Sequence, residues 1–254
     1  MRIRGFTLAE VLITLGIIGV VVAISMPSMI TSHRKKVIET KLKQTYAILS
    51  TSLNAGEMEY SEPFSYMYAF AKCQQNDSWC INNTLYIDFI KPYVSNNVKE
   101  VNTGICWGSN YKCPSIKNND AMTYFGKFVT FTNGTTILIY GAQIAVITEP
   151  LSFNSKKPLK LEAGKNYFVF GPAVGSCRAL NCANRISHVL APFHQTNLPN
   201  YWLQSDRYRG KYTNTQMREN CTNTSLENTS RAAYCTQIYL ENNFTFPKNY
   251  PIKF

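Results

Sequence analysis

The chain has 254 residues, with 26 Lys+Arg against 15 Asp+Glu for a formal charge of +11, and it is 45% hydrophobic but only 16% charged. That length holds one large or two small domains, and so few charges among so many apolar residues exclude wholesale disorder. The surplus of charge admits a nucleic-acid or membrane-surface partner, depending on where it sits. Residues 1–56 carry seven Lys/Arg and two Glu, a net +5, whereas residues 57–254 carry 19 Lys/Arg and 13 Asp/Glu, a net +6 spread over a much longer stretch.

The N-terminus is the most informative segment. Residues 1–5 are short and basic through Arg2 and Arg4, and from Phe6 to Met26 the only polar residues are Thr7, Glu10, Thr14 and Ser25. As a helix that stretch spans about 31 Å, the thickness of a bilayer core. The cations ahead of it place the N-terminus on the cytoplasmic side. Glu10 breaks the pattern, because an unpaired carboxylate inside a membrane span costs about 3 kcal/mol. A cut after Gly5 would create an α-amine on Phe6, one helical turn from Glu10, for pairing within the chain or between neighbouring chains.

The helix is expected to continue beyond the span. Ile38, Leu42, Tyr46, Leu49 and Leu53 recur every three or four residues, with Arg34, Lys35, Lys36, Glu39, Lys41 and Lys43 between them. Gly56 is the expected stop. His33, among cations, reads as a solvated side chain.

Gly5-Phe6-Thr7-Leu8-Ala9-Glu10 followed by a long apolar helix resembles the leader junction of type IV prepilins and type II secretion pseudopilins. The resemblance covers about the first 55 residues strongly. It implies that a prepilin peptidase cuts after Gly5 and methylates Phe6, and that Glu10 neutralises the terminal amine of an adjacent subunit during assembly. Pro27 matches a family helix proline that kinks or locally melts the helix in filaments; proline removes a backbone donor and clashes with the preceding turn. The implied organisation is a leader at 1–5, a stem helix at 6–56 with a transmembrane part at about 6–29, and a periplasmic or extracellular head at 57–254. The implied partners are the peptidase, other pilin or pseudopilin subunits, the bacterial inner membrane and an assembly platform. Loss of Arg2 and Arg4 with the leader would leave a mature charge of +9. Two other readings rank behind this one. Ala23-Ile24-Ser25 could be a signal-peptide cleavage box that releases a secreted disulfide-rich protein from Met26, or the span could be an unprocessed anchor. Glu10 inside the apolar region and Pro27 just past the cut weigh against the signal peptide.

Residues 57–120 read as irregular, apart from a short helix at Leu85–Val94 with Leu85, Phe89 and Tyr93 on one face. The eight cysteines are Cys73, Cys80, Cys106, Cys113, Cys177, Cys182, Cys221 and Cys235. They are even in number, lack any C-x-x-C, and indicate disulfides formed in an oxidising compartment in preference to a zinc site. Spacing leaves the connectivity open, with sequence neighbours the preferred pairs.

Strands are expected at Lys127–Thr132 and Thr135–Tyr140, joined by Asn133-Gly134 as a two-residue hairpin turn in which both positions take positive φ. Further runs lie at Gln143–Thr148 and Tyr167–Phe170. Four strands on a long N-terminal helix make an α+β head, with the sheet at about 127–170 and a cysteine-rich region at 171–254. This arrangement also resembles pseudopilin heads, whose loop between hairpin and last strand carries acidic calcium ligands in the major pseudopilins. Here residues 149–164 offer only Glu149 and Glu162 among Lys156, Lys157 and Lys160, too few carboxylates for that site; no metal or cofactor is expected. Arg231–Leu240 reads as a helix containing Cys235. The tail through Asn249-Tyr250-Pro251 resembles the C-terminal ends of many pilin-like proteins.

Catalytic constellations are sparse. Asp77, Asp88, Asp120 and Asp206 each stand alone in the sequence. His188 and His194 read as loop histidines near disulfide cysteines in preference to a thiol-enzyme pair. Gly171-Pro-Ala-Val-Gly175 lacks the Lys of a phosphate loop. One stretch supports a binding role. Tyr201, Trp202, Arg207, Tyr208, Arg209 and Lys211 interleave aromatics with cations, the pattern that holds single-stranded nucleic acid by stacking and phosphate attraction. A DNA-binding pilin of an uptake system is therefore the alternative to a purely structural subunit, which is not expected to be an enzyme.

Overall fold

The computed structural model describes residues 7–60, 72–73, 80, 83–103, 127–140, 143–151, 158–174, 186–191, 213–226 and 228–254. They form two compact units, one ending at Ile38 and the other comprising Glu39–Lys253.

The first element, α1, is a helix over Leu8–Tyr60. It contains Pro27 without interruption of the helical assignment, so in this structure the proline neither melts nor ends the helix. Around it Ser25, Ser28 and Thr31 donate their hydroxyls to the carbonyls of Val21, Ser25 and Pro27, three or four residues back. Leu42, Leu49 and Leu53 are buried, as their spacing requires. Gly56 does not stop the helix. It permits a close approach: a Cβ there would lie 2.5 Å from Phe89 Cδ1 and 3.1 Å from Phe89 Cα. Helix breaking by glycine costs only about 1 kcal/mol, which packing against Phe89 outweighs.

Phe89 belongs to a π-helical turn, Leu85–Ile90, that continues into one α-helical turn, Lys91–Val94. The expected helix is present, with Leu85, Tyr86, Phe89, Ile90 and Val94 buried. Among the described residues, six strands come next in one antiparallel sheet of order β1 to β6: β1 Val98–Thr103, β2 Lys127–Phe131, β3 Thr136–Tyr140, β4 Gln143–Ile147, β5 Tyr167–Val174 and β6 Ile186–Ala191. The four expected strands are the centre of this sheet, which extends beyond 127–170 on both sides. β1 falls in a stretch read as irregular, because Val98-Lys-Glu-Val-Asn-Thr103 offers no apolar run and only one neighbour pairs with it. β5 continues past Phe170 through Gly171-Pro172, with a register shift at Pro172/Val174 in its pairing with β6. Proline is tolerated at such irregularities because the ladder is already broken there.

The β2–β3 connection corrects the turn type. Phe131 N donates to Thr135 O, enclosing three residues, and Gly134 alone of Asn133-Gly134 has positive φ, at 80°. Asn133 acts through its side chain instead, with Oδ1 accepting from the Thr135 amide and hydroxyl. This is the three-residue hairpin loop with glycine at the left-handed position.

Both faces of the central strands are buried. Leu138, Ala145, Ile147, Tyr167 and Val169 share a core with Met217, Cys221, Ala232, Tyr234, Cys235 and Ile238. These come from α2, Asn214–Thr222, and α3, Asn228–Glu241. The intervening strand residues, including Ile137, Val146, Phe168 and Phe170, are equally buried on the other face. There Tyr46 of α1 packs on Phe170, and the Thr45 and Thr135 hydroxyls meet at 3.0 Å. The α+β class expected from sequence is thus observed.

Candidate functional site

Every described residue from Thr7 to Arg34 is exposed, so this part of α1 carries an uncovered apolar surface. Among the described residues it is the one helix long and apolar enough to cross a membrane, by length and composition. Its start is capped. Glu10 Oε2 accepts from the Thr7 amide at 2.8 Å and the Thr7 hydroxyl at 2.9 Å, while Thr7 Oγ1 accepts from Glu10 N at 3.3 Å. This is a capping box, in which side chains at the N-cap and three residues later satisfy each other's orphan amides. The Thr-x-x-Glu spacing is visible in the sequence, but there Thr7 reads as a mere interruption of the apolar run. Pro27 lies further along the same exposed segment. Gly16 and Gly19 also face open space, with nothing within 4 Å of a Cβ at either. Gly5 and Phe6 lie outside the described residues.

At Glu39, α1 is gripped by the C-terminal tail. Phe246 N donates to Glu39 Oε1 at 2.7 Å, and the Tyr239 hydroxyl donates to Glu39 O at 3.2 Å. Asn243 and Phe244 sit at φ 54° and 59°, a conformation uncommon for a bulky side chain. It turns the Phe244 ring onto Tyr46 and Tyr239, with centroids 4.9 and 5.8 Å apart. Phe246 stacks among Phe168, Tyr239 and Tyr250, and the Tyr250 hydroxyl donates to Gly164 O. Burial, then the charge of Glu39, pushes the Tyr239 phenol well above its ordinary value. The aromatic tail is therefore a clamp on the stem.

The loop before β5 is organised by an amide. Asn166, 2% exposed, accepts from Glu162 N and donates to Lys160 O and Glu149 Oε2. Glu162 pairs with Lys165 at 2.9 Å and Lys160 at 3.6 Å, and the hydrogen bond from Lys165 leads in holding its carboxyl below the usual range. Both acids of the loop are thus already engaged by nitrogen donors. Among the described residues, no three His, Cys, Asp or Glu side chains converge as metal ligands.

A buried cation has no signal in the sequence. Lys127 is 6% exposed; its ammonium donates to Asn83 Oδ1 and lies 4.8 Å from the centroid of the Tyr86 ring. Burial, reinforced by the charge of Lys91, lowers its pKa to about 8. Nothing in the strand-like run from 127 to 131 marks its first residue as inward-facing.

Two of the expected cysteine pairs form disulfides. Cys73–Cys80 has Cα atoms 5.8 Å apart, and Cys221–Cys235, 5.0 Å apart, ties α2 to α3. Cys106, Cys113, Cys177 and Cys182 lie outside the described residues, as do His194 and the basic-aromatic group Tyr201, Trp202, Arg207, Tyr208, Arg209 and Lys211. His188 falls in β6, not in a loop, and Gly171 to Val174 belong to β5.

A family model described as the prokaryotic N-terminal methylation motif matches residues 1–26. It is the signature of type IV pilins and pseudopilins, and its presence indicates a pilin-like precursor. That motif implies processing by a prepilin peptidase and assembly with other pilins. No curated protein and no solved structure matches the chain. A second family model, described as a family of unknown function (DUF6613), matches residues 28–254, and the chain belongs to that family.

Proposed function

We propose that the chain is a minor subunit of a pilin-like filament, either a type IV pilus or a type II secretion pseudopilus. Before assembly it rests in the bacterial inner membrane through residues 6–29, with its N-terminus cytoplasmic and its disulfide-bonded head on the far side. Cleavage after Gly5 frees the Phe6 amine for methylation. In the filament, Glu10 exchanges its Thr7 contacts for the terminal amine of a neighbouring subunit, and the exposed face of α1 packs against other stems around Pro27. Platform proteins of the membrane then draw the stem out of the bilayer.

The observation that carries this reading is a capped carboxylate at the start of an otherwise apolar, uncovered helix. Such a helix needs a second apolar surface, and such a carboxylate needs a cation once it is inside one. The long head, with the second half of α1 built into it, supports a minor or tip position over that of the main repeating subunit. Filaments sheared from native cells test the proposal. The chain should co-sediment with them, and the Glu10→Val variant should stay in the membrane fraction. Absence of the native chain from sheared filaments would count against it.

A further inference from the structure

Lys and Arg flanking a membrane span ordinarily lie on the cytoplasmic side. This chain has cations on both sides, and the larger group follows the span. Arg2 and Arg4 precede the span, whereas Arg34, Lys35, Lys36, Lys41 and Lys43 come after it. The disulfides Cys73–Cys80 and Cys221–Cys235 place the head in an oxidising compartment, across the membrane. Removal of residues 1–5 would leave no Lys or Arg ahead of the span at all. The cations after the span therefore oppose the topology the chain must reach, and their position calls for another role.

Their depth suggests it. The exposed apolar run from Leu8 to Ile30 measures about 34 Å along the helix, filling the hydrocarbon core. Arg34, Lys35 and Lys36 lie about 6–9 Å further on, at the outer limit of the head-group layer, within reach of side chains that extend back along the helix. Consecutive residues step about 100° around a helix, so the three cations form a partial ring and not a single face. Arg34 and Lys36 are exposed and Lys35 is half-buried. Lys41, beyond them, donates to the Thr148 carbonyl at 2.9 Å.

We propose that Arg34, Lys35 and Lys36 form a collar that binds anionic phospholipid head groups on the periplasmic face of the inner membrane and holds the subunit at a fixed depth before assembly. This rests on the membrane-inserted reading under Proposed function. The chemistry is attraction between clustered cations and phosphate esters, strengthened beside a low-dielectric surface and weakened by salt.

Full-length chain in phosphatidylcholine vesicles, probed with spin-labelled phosphatidylglycerol or spin-labelled phosphatidylcholine, tests the collar. Flotation after alkaline carbonate washing first establishes insertion; a chain that washes off would overturn the membrane reading and the collar together. In the inserted chain, the motionally restricted lipid should favour phosphatidylglycerol by about twofold or more at low salt, falling toward parity in molar salt. Arg34→Gln/Lys35→Gln/Lys36→Gln should bring it to parity at low salt, whereas Lys99→Gln, on exposed β1, should leave it unchanged. An inserted native chain without preference, or a triple variant that keeps it, would overturn the collar alone.

Discussion

The carboxylate of Glu10 accepts hydrogen bonds from both the amide and the hydroxyl of Thr7. One acidic residue therefore caps the helix, and the proposed assembly gives it a second role as the partner of a terminal amine. The two roles separate by mutation. Glu10→Val removes a carboxylate that costs about 3 kcal/mol within a bilayer, so its membrane insertion should improve while its yield in filaments collapses. Thr7→Val deletes one half of the capping box, worth about 1 kcal/mol, and should lower filament yield only mildly. Insertion assays in membrane vesicles beside blots of sheared filaments would measure both. Equal loss of filaments in the two variants would contradict the division.

Gly56→Ala should destabilise the head by about 1–3 kcal/mol, the usual range for overpacking. The new methyl would meet Phe89 backbone as well as its ring, so a rotamer change alone cannot relieve it. Thermal denaturation followed by circular dichroism would show a lowered midpoint with unchanged helix content. A variant as stable as the native chain would refute the close approach.

Lys127 gives the head a pH dependence with a defined sign. Its pKa is lowered to about 8 in the fold, against about 10.4 in an unfolded chain. The folded state then binds fewer protons, so stability rises with pH between these two values. The full effect is about 3 kcal/mol. Tyr239 and Tyr250, raised chiefly by burial, oppose it above pH 10, where unfolded tyrosines ionise. Urea titrations at pH 7 and 9.5 should show a rise for the native chain that Lys127→Met lacks. Parallel curves for the two proteins would exclude Lys127 as the source.

Cys221 and Cys235 are fully buried and 14 residues apart. Loop-closure entropy assigns such a bridge about 3 kcal/mol. Cys221→Ser with Cys235→Ser should lose about that much, measured by denaturant midpoint under non-reducing conditions. A loss below about 1 kcal/mol would show that the α2–α3 core holds without the bridge.

Legibility in the sequence depends on how locally each feature is encoded. The span, the amphipathic stem and the central strands rest on runs of apolar residues, which periodicity exposes. Thr7-x-x-Glu10 and Thr213-x-x-Gln216 are equally local, and the second caps α2, but both are two-residue signals lost among louder neighbours. β1 and the extension of β5 depend on ladder partners distant in sequence, and Gly171-Pro172 argues against a strand by propensity alone. The clamp is the least legible part. Glu39 meets Phe246 across 207 positions, and no spacing rule couples them. Gly56 shows the converse error: propensity marks it as a stop, and the Phe89 contact decides its use.

Intact-mass analysis of the chain purified from its native membrane tests the central claim most directly. Processing at the Gly5–Phe6 junction predicts a mature polypeptide that begins at Phe6 and carries one extra methyl group on its terminal nitrogen. A chain that keeps residues 1–5, or one that begins at Met26, would contradict it.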